Sequence, residues 1–355
     1  MLFSYTYVSH PLERLHGWIE HLVTTVWCRN GGAYSVTLLC SELQDIAAKV
    51  DQKDTNERSI FDDIRDLDAL IQALSRSKRD ELATMFLEST AVDDLCHGSA
   101  AHYPYRFAEL LAWDSVTAER LKEFFNDLFN KHIKSGPIKL KLGDLKKHVD
   151  AFCTANSEGV CPFCGLEETR DENYTTRDPY DHYLPRQKYP FNSVNFRNLA
   201  LMCHTCNSSY KTTKDPISRE PGNRQKAFAP FEPAVPFPTM TVHFEATRIQ
   251  ALKPQHITLK IESVTHAEEF ETWEWLFGIQ QRYKGKLCKK RGAYTWLNTV
   301  LTDSRNYNKS PQEVLENIRA NTAEDPFLDD GFLKLPTLDA CQSAGLLYRD
   351  EGPRL

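Results

Sequence analysis

Apolar side chains in the first third of the chain recur every three or four positions. Val36, Leu39, Cys40, Leu43, Ala47 and Val50 form one such stripe, Ile60, Ile64, Leu67, Ile71 and Leu74 a second, and Leu121, Phe124, Phe125, Leu128 and Phe129 a third. This spacing lays each set along one face of an α-helix, and Asp114 and Ser115 stand where the third helix would be capped. Residues 1–150 therefore predict a helical domain whose stripes face a core. No catalytic constellation interrupts them, so docking a partner or sensing a trigger is the role expected of this region.

The periodicity is lost over residues 151–230, where Gly, Pro, Asn, Cys and Tyr replace regularly spaced apolar residues. Such a segment cannot build a large core, and a bound metal is the usual remedy for a small loop-rich module. Over 231–355 regular patterns return. Thr239–Ala246 and His256–Glu262 alternate and are rich in β-formers, which predicts a pair of strands. Helices are expected over Glu268–Arg282 and Pro311–Ala320. The fold class predicted is α+β: an N-terminal helical domain, a central metal-bound module and a C-terminal α+β extension.

Composition narrows the function. The 355 residues, 41% hydrophobic, are those of a globular chain. No stretch approaches the roughly 18 to 20 uncharged apolar residues that span a bilayer, so the chain is expected in the cytoplasm with no membrane partner. Ten cysteines in a chain of this length without a secretion signal are expected to stay reduced. A net charge of −6 argues against coating nucleic acid by bulk electrostatics. Positive charge is local instead: eight Lys or Arg fall between His182 and Lys226, against Asp215 and Glu220.

Four cysteines come in pairs, Cys161-Pro-Phe-Cys164 and Cys203-His-Thr-Cys206. Each C-x-x-C knuckle can wrap two thiolates around one tetrahedral ion, and two knuckles complete a closed zinc site with no open coordination position. Such a zinc holds the fold and leaves chemistry to other groups. The knuckles are separated by 38 residues, where a zinc ribbon has roughly 15 to 20, and the extra length carries the remaining candidates.

Within it stand Tyr180-Asp181-His182-Tyr183-Leu184-Pro185 and Asn198-Leu199-Ala200-Leu201-Met202-Cys203, with Cys206-Asn207-Ser208-Ser209-Tyr210-Lys211 closing the run. Singly, an Asp-His pair or an Asn is a common turn or cap residue. In this order between two knuckles, the segment from Cys161 to Lys214 resembles the HNH, or ββα-metal, endonuclease family in its cysteine-bearing form. The resemblance implies hydrolysis of phosphodiester bonds in DNA, with RNA as the other candidate substrate. Water needs a base at neutral pH, and a neutral imidazole, His182, suits that task. A hard divalent ion, Mg²⁺ or Mn²⁺, relieves charge on the phosphate, and Asp181 and Asn207 offer the oxygen ligands it prefers. Asn198 matches the family's middle Asn, which ties down the loop carrying the His.

Arg186, Lys188, Lys211 and Lys214 are the candidate phosphate contacts. Lys211 departs from the family pattern by lying four residues after Asn207 where three is usual. Phe228-Ala-Pro-Phe231, the strand pair, Trp275, Phe277 and Arg282-Tyr283 resemble the C-terminal extension of some bacterial HNH proteins of anti-phage defence. That likeness implies an ATPase or another defence-system subunit as a partner. The competing reading is a non-catalytic zinc module that binds nucleic acid or protein.

Overall fold

Among the described residues, the sequence signals that start and stop helices divide the N-terminal part into nine of them. The computed structural model describes residues 1–50, 59–171, 173–220, 222–245 and 249–348. Helix α1 (Arg14–His21) runs on in π turns over Leu22–Trp27 and is followed by α2 (Ser41–Val50), α3 (Ile60–Gln72) and α4 (Arg76–Ser89). Short α5 (Val92–Cys96) and α6 (Phe107–Trp113) lead to α7 (Ser115–Asn130), α8 (Gly136–Leu142) and α9 (Leu145–Ala155).

Two of the expected helices form, although α3 ends at Gln72, before Leu74 of its stripe. Ser59 and Asp62 close a reciprocal capping box on α3, and the Asp114 side chain accepts the Thr117 amide at the start of α7; each such cap is worth about 1 kcal/mol. The first stripe begins later than predicted. Ser35 caps a separate 3₁₀ turn over Val36–Leu38, and Leu39 is extended, so the helix starts at Ser41 and Val36 is exposed. The Val50 side chain lies outside the described residues.

Among the described residues of the module the regular strands are β1 (Tyr180–His182) and β2 (Leu199–Leu201), paired antiparallel with Asp181 opposite Ala200 and His182 opposite Leu199. The C-terminal strands, β3 (Thr239–Phe244) and β4 (Ile257–Glu262), pair antiparallel as predicted; Ala246 lies outside the described residues. The helix expected over Glu268–Arg282 is two, α10 (Ala267–Phe277) and α11 (Ile279–Cys288). They break at Gly278, whose φ of +59° is left-handed. A Cβ there would meet the Tyr210 ring at 2.5 Å, so both backbone and packing require glycine. Helices α12 (Ala293–Asn306), α13 (Pro311–Glu324) and α14 (Gly331–Ser343) complete the chain, α14 lying on β3.

The described residues are thus mainly helical with two small sheets, an α+β arrangement. Two buried cores hold it, and neither follows the chain strictly. One joins Trp27, Ile64, Phe86, Phe124 and Phe125 of the helical region to Phe191, Val194 and Phe196 of the module. The other gathers Met1, Leu2 and Tyr5 with the cysteine knuckles and with Trp273, Phe277 and Tyr283 from α10 and α11. Among the described residues no helix is long and apolar enough to cross a membrane.

Candidate functional site

The two knuckles meet. The sulfurs of Cys161, Cys164, Cys203 and Cys206 all lie within 4.8 Å of one another and are buried, with Cys164 and Cys203 3.9 Å apart. Four thiolates at the usual Zn–S distance of about 2.3 Å stand about 3.8 Å from each other around a tetrahedron, so the cluster can hold a structural metal ion such as zinc. Burial pushes the Cys161 thiol up, whereas the neighbouring thiols, Cys161 foremost, hold Cys164 well below the usual range. Among the remaining six cysteines, Cys28, Cys96 and Cys341 are buried.

The C-terminal extension closes around these knuckles. The Arg282 guanidinium donates to Cys206 Sγ at 3.1 Å, Tyr283 Oη to the Cys164 carbonyl at 2.9 Å, and Trp273 Nε1 to the Phe163 carbonyl at 2.8 Å. A cation beside a cluster of thiolates offsets their charge, and donors to the ligand backbone fix its geometry. Sequence reading had noticed Arg282-Tyr283 only as part of a likeness; that they touch the knuckles is a tertiary fact.

Strand β1 carries Asp181 and His182, and adjacent strand positions face opposite sides. His182 turns toward the helical region, where its ring meets Phe129 of α7 edge-on with centroids 4.5 Å apart. Its Nε2 donates to the Ser193 carbonyl at 2.9 Å. That bond places the proton on Nε2 and leaves the Nδ1 lone pair free, with no protein partner among the described residues. Burial lowers the His182 pKa to about 4, so the ring is neutral at physiological pH.

Asn198 is fully buried beneath the same loop. Its Oδ1 accepts the Leu184 amide at 2.7 Å, and its Nδ2 donates to the carbonyls of Leu184 at 3.0 Å and Asn192 at 3.3 Å. The loop that presents the Ser193 carbonyl is also anchored to the helical region, through Asn192 Nδ2 to the Ser89 carbonyl and Asn195 Nδ2 to the Thr90 carbonyl. Asn198 therefore fastens the segment that presents the Ser193 carbonyl to His182.

On the other face of β1, Asp181 meets Lys211. The Lys211 Nζ lies 2.6 Å from Asp181 Oδ2 and donates to the His182 carbonyl at 3.0 Å, and the residue has no exposed surface. The approach to Oδ2 is off the hydrogen-bonding direction, so charge holds that contact. Burial raises the Asp181 pKa more than Lys211 lowers it. The extra residue before Lys211 has a structural outlet: Thr205–Lys211 is a π-helical turn, wider than an α turn, closed by the Thr212 amide donating to the Asn207 carbonyl at 2.9 Å. Thr212 ends it at φ +47°, an uncommon conformation for a β-branched residue.

These placements correct two of the four expected phosphate contacts. Lys211 is buried on Asp181, and Lys214 Nζ donates to the carbonyls of Trp275 and Leu276 at the end of α10, 2.8 and 3.1 Å away. Arg186 stays near His182, its guanidinium 5.6 Å from the Phe129 ring and bonded to Asn130; Lys188 is half-buried without a side-chain partner among the described residues. Much of the basic run is likewise engaged inside the protein, Arg197 with Asp93, Arg219 with Glu271 and Arg224 with the carbonyls of Leu95, Ser99 and His102.

Asn207 stands on the π-helical turn one turn before Lys211, half-buried, and its side chain makes no hydrogen bond with the described residues. Asp181 Oδ2 and the His182 carbonyl form an oxygen pair that suits a hard cation, but the Lys211 ammonium fills it. As placed, the donor set does not fit a resident divalent ion beside that lysine. Among the described residues Asp63, Asp127 and His132 form the other close group of possible ligands, yet Asp63 is paired with Arg120 and Asp127 with Lys131. Comparisons of the chain with protein-family models, with curated proteins and with solved structures find no match.

Proposed function

We propose that the chain is an HNH-type endonuclease that hydrolyses phosphodiester bonds in DNA or RNA, with His182 as the general base. The observation that carries the reading is the bond from His182 Nε2 to the Ser193 carbonyl. It holds the ring in one tautomer, with Nδ1 ready to take a proton from water as the water attacks phosphorus. Asn198 keeps that carbonyl in place, and Phe129 fixes the ring plane. The zinc cluster clamps the ends of the segment that carries these groups.

The family resemblance implies a divalent ion held by Asp181 and Asn207, but Asp181 is paired with Lys211, and the residues as placed do not fit that ion. Lys211 neutralises Asp181 and keeps positive charge beside the His182 backbone. That same pairing favours the second reading, a zinc-stabilised module that binds nucleic acid or protein without cutting it. The proposed partner, an ATPase or other defence-system subunit, is tested by co-purification with the neighbouring gene products.

Plasmid, single-stranded DNA and RNA incubated with the parent and with His182→Ala, with and without Mg²⁺ or Mn²⁺, decide between the readings. The nuclease reading expects cleavage that the substitution abolishes while the fold remains. Equal cutting by both proteins rejects His182 as the base, and no cutting of any substrate rejects the nuclease reading.

A further inference from the structure

The helical region walls a groove directly beside β1. The groove has a volume of about 300 Å³. Phe129, Leu145, Val149 and Tyr180 give it an apolar floor, and Lys134 and Lys146 stand on its rim. Both lysines are exposed, and neither is paired with a carboxylate among the described residues. The acids nearby are already neutralised: Asp178 by Arg170, Asp150 by Arg177 and Asp144 by Lys139. The rim is therefore positive in a protein of net charge −6.

The groove also reaches the proposed catalytic strand. Tyr180 precedes His182 by two residues on the same face of β1, about 7 Å along the strand, and Phe129 both lines the groove and touches the His182 ring. An apolar floor carrying the Phe129 and Tyr180 rings, with flanking ammonium groups, matches the two features of a single-stranded nucleic acid, an exposed base face and a phosphate on either side of it. In a duplex the base faces are stacked on each other and cannot reach such a floor.

We propose that this groove seats a nucleotide of single-stranded DNA or RNA next to the scissile phosphate, with Lys134 and Lys146 on the flanking phosphates. The helical region thereby completes the substrate site. The inference rests on the nuclease reading for the identity of the neighbouring site, but its test reads binding alone.

The full chain carrying His182→Ala is titrated against a fluorescein-labelled 12-nucleotide DNA, its RNA counterpart and the same DNA as a duplex, by anisotropy over a range of salt. The single strands, of either sugar, are expected to bind more tightly than the duplex. Adding Lys134→Glu and Lys146→Glu is expected to weaken single-strand binding at least tenfold and to flatten the log–log salt slope by about 1.4, for two lost phosphate contacts. Val149→Trp, which fills the floor, is expected to weaken binding with the salt slope unchanged, and Lys289→Glu with Lys290→Glu serves as the charge-matched control. Circular dichroism checks that each variant is folded. Groove variants that bind like the parent, a control that loses as much, or a duplex that binds as well as the single strands would overturn the proposal. Cleavage that persists in His182→Ala rejects His182 as the base, cleavage of nothing by the parent rejects the nuclease reading, and either leaves the binding result to stand.

Discussion

Replacing Lys211 with methionine probes the least expected feature of the site. The side chain is of similar length but carries no charge, so the substitution leaves Asp181 buried opposite an apolar group and removes a donor from the His182 carbonyl. At 2.6 Å the gross attraction between the two charges is about 6 kcal/mol for an effective dielectric constant of about 20. Desolvation offsets much of it, and removing one partner of a buried pair costs about 3–5 kcal/mol. Because 16% of the Asp181 side chain is exposed and burial already raises its pKa, the abandoned carboxylate can hydrate or protonate. The expected loss is therefore near the lower limit, about 3 kcal/mol. Asp181→Leu combined with Lys211→Met removes both charges and is expected to recover at least half of that loss. Urea unfolding of the four proteins, followed by fluorescence and circular dichroism, gives the coupling energy. A single-variant loss below about 1 kcal/mol with no coupling would refute a buried, interdependent pair. Lys211→Met also frees the oxygen pair, so calorimetry is expected to show Mn²⁺ binding tighter in the variant than in the parent.

The other expectations are separate measurements. Elemental analysis should find one zinc per chain, and Cys203→Ser or a strong chelator should unfold the module, since structural zinc contributes on the order of 10 kcal/mol in small domains. Asn198→Ala should cost about 3 kcal/mol in chemical denaturation, because it leaves the buried Leu184 amide without its acceptor and frees the loop that orients His182. The His182 ring stays neutral in the folded chain down to about pH 4 but protonates in the unfolded chain near its ordinary value of 6.5. Its contribution to stability is thus unaffected above pH 6.5 and falls by up to about 3 kcal/mol as pH drops from 6.5 to 4; denaturation of parent and His182→Leu across that range should differ by this slope. Gly278→Ala should lose more than about 1 kcal/mol in thermal unfolding, through both its left-handed backbone and the Tyr210 contact.

Periodicity and local chemistry were enough to place several parts. The stripes in α3 and α7 are local consequences of helical spacing and of caps one turn away, and the C-terminal strand pair follows from alternation. The four cysteines could be assigned to one cluster because two short knuckles each bring their own pair of thiols together. The supporting role of Asn198 was legible only through its order among its neighbours. The break at Gly278 was missed because a single glycine inside a helical pattern is tolerated unless something, here Tyr210, demands its backbone.

What the chain by itself determined is which groups are available: four thiols, an imidazole beside a carboxylate, two amides and a set of cations, in an order that a loop-rich module can close. Which of those groups meet was decided only in three dimensions. A one-residue shift before Lys211 is absorbed by a π turn and sends its ammonium to Asp181, while Phe129, more than fifty positions before His182, packs against the imidazole. Charge and shape act through space, and a linear pattern records neither the distance between two residues nor the solvent that folding takes from them.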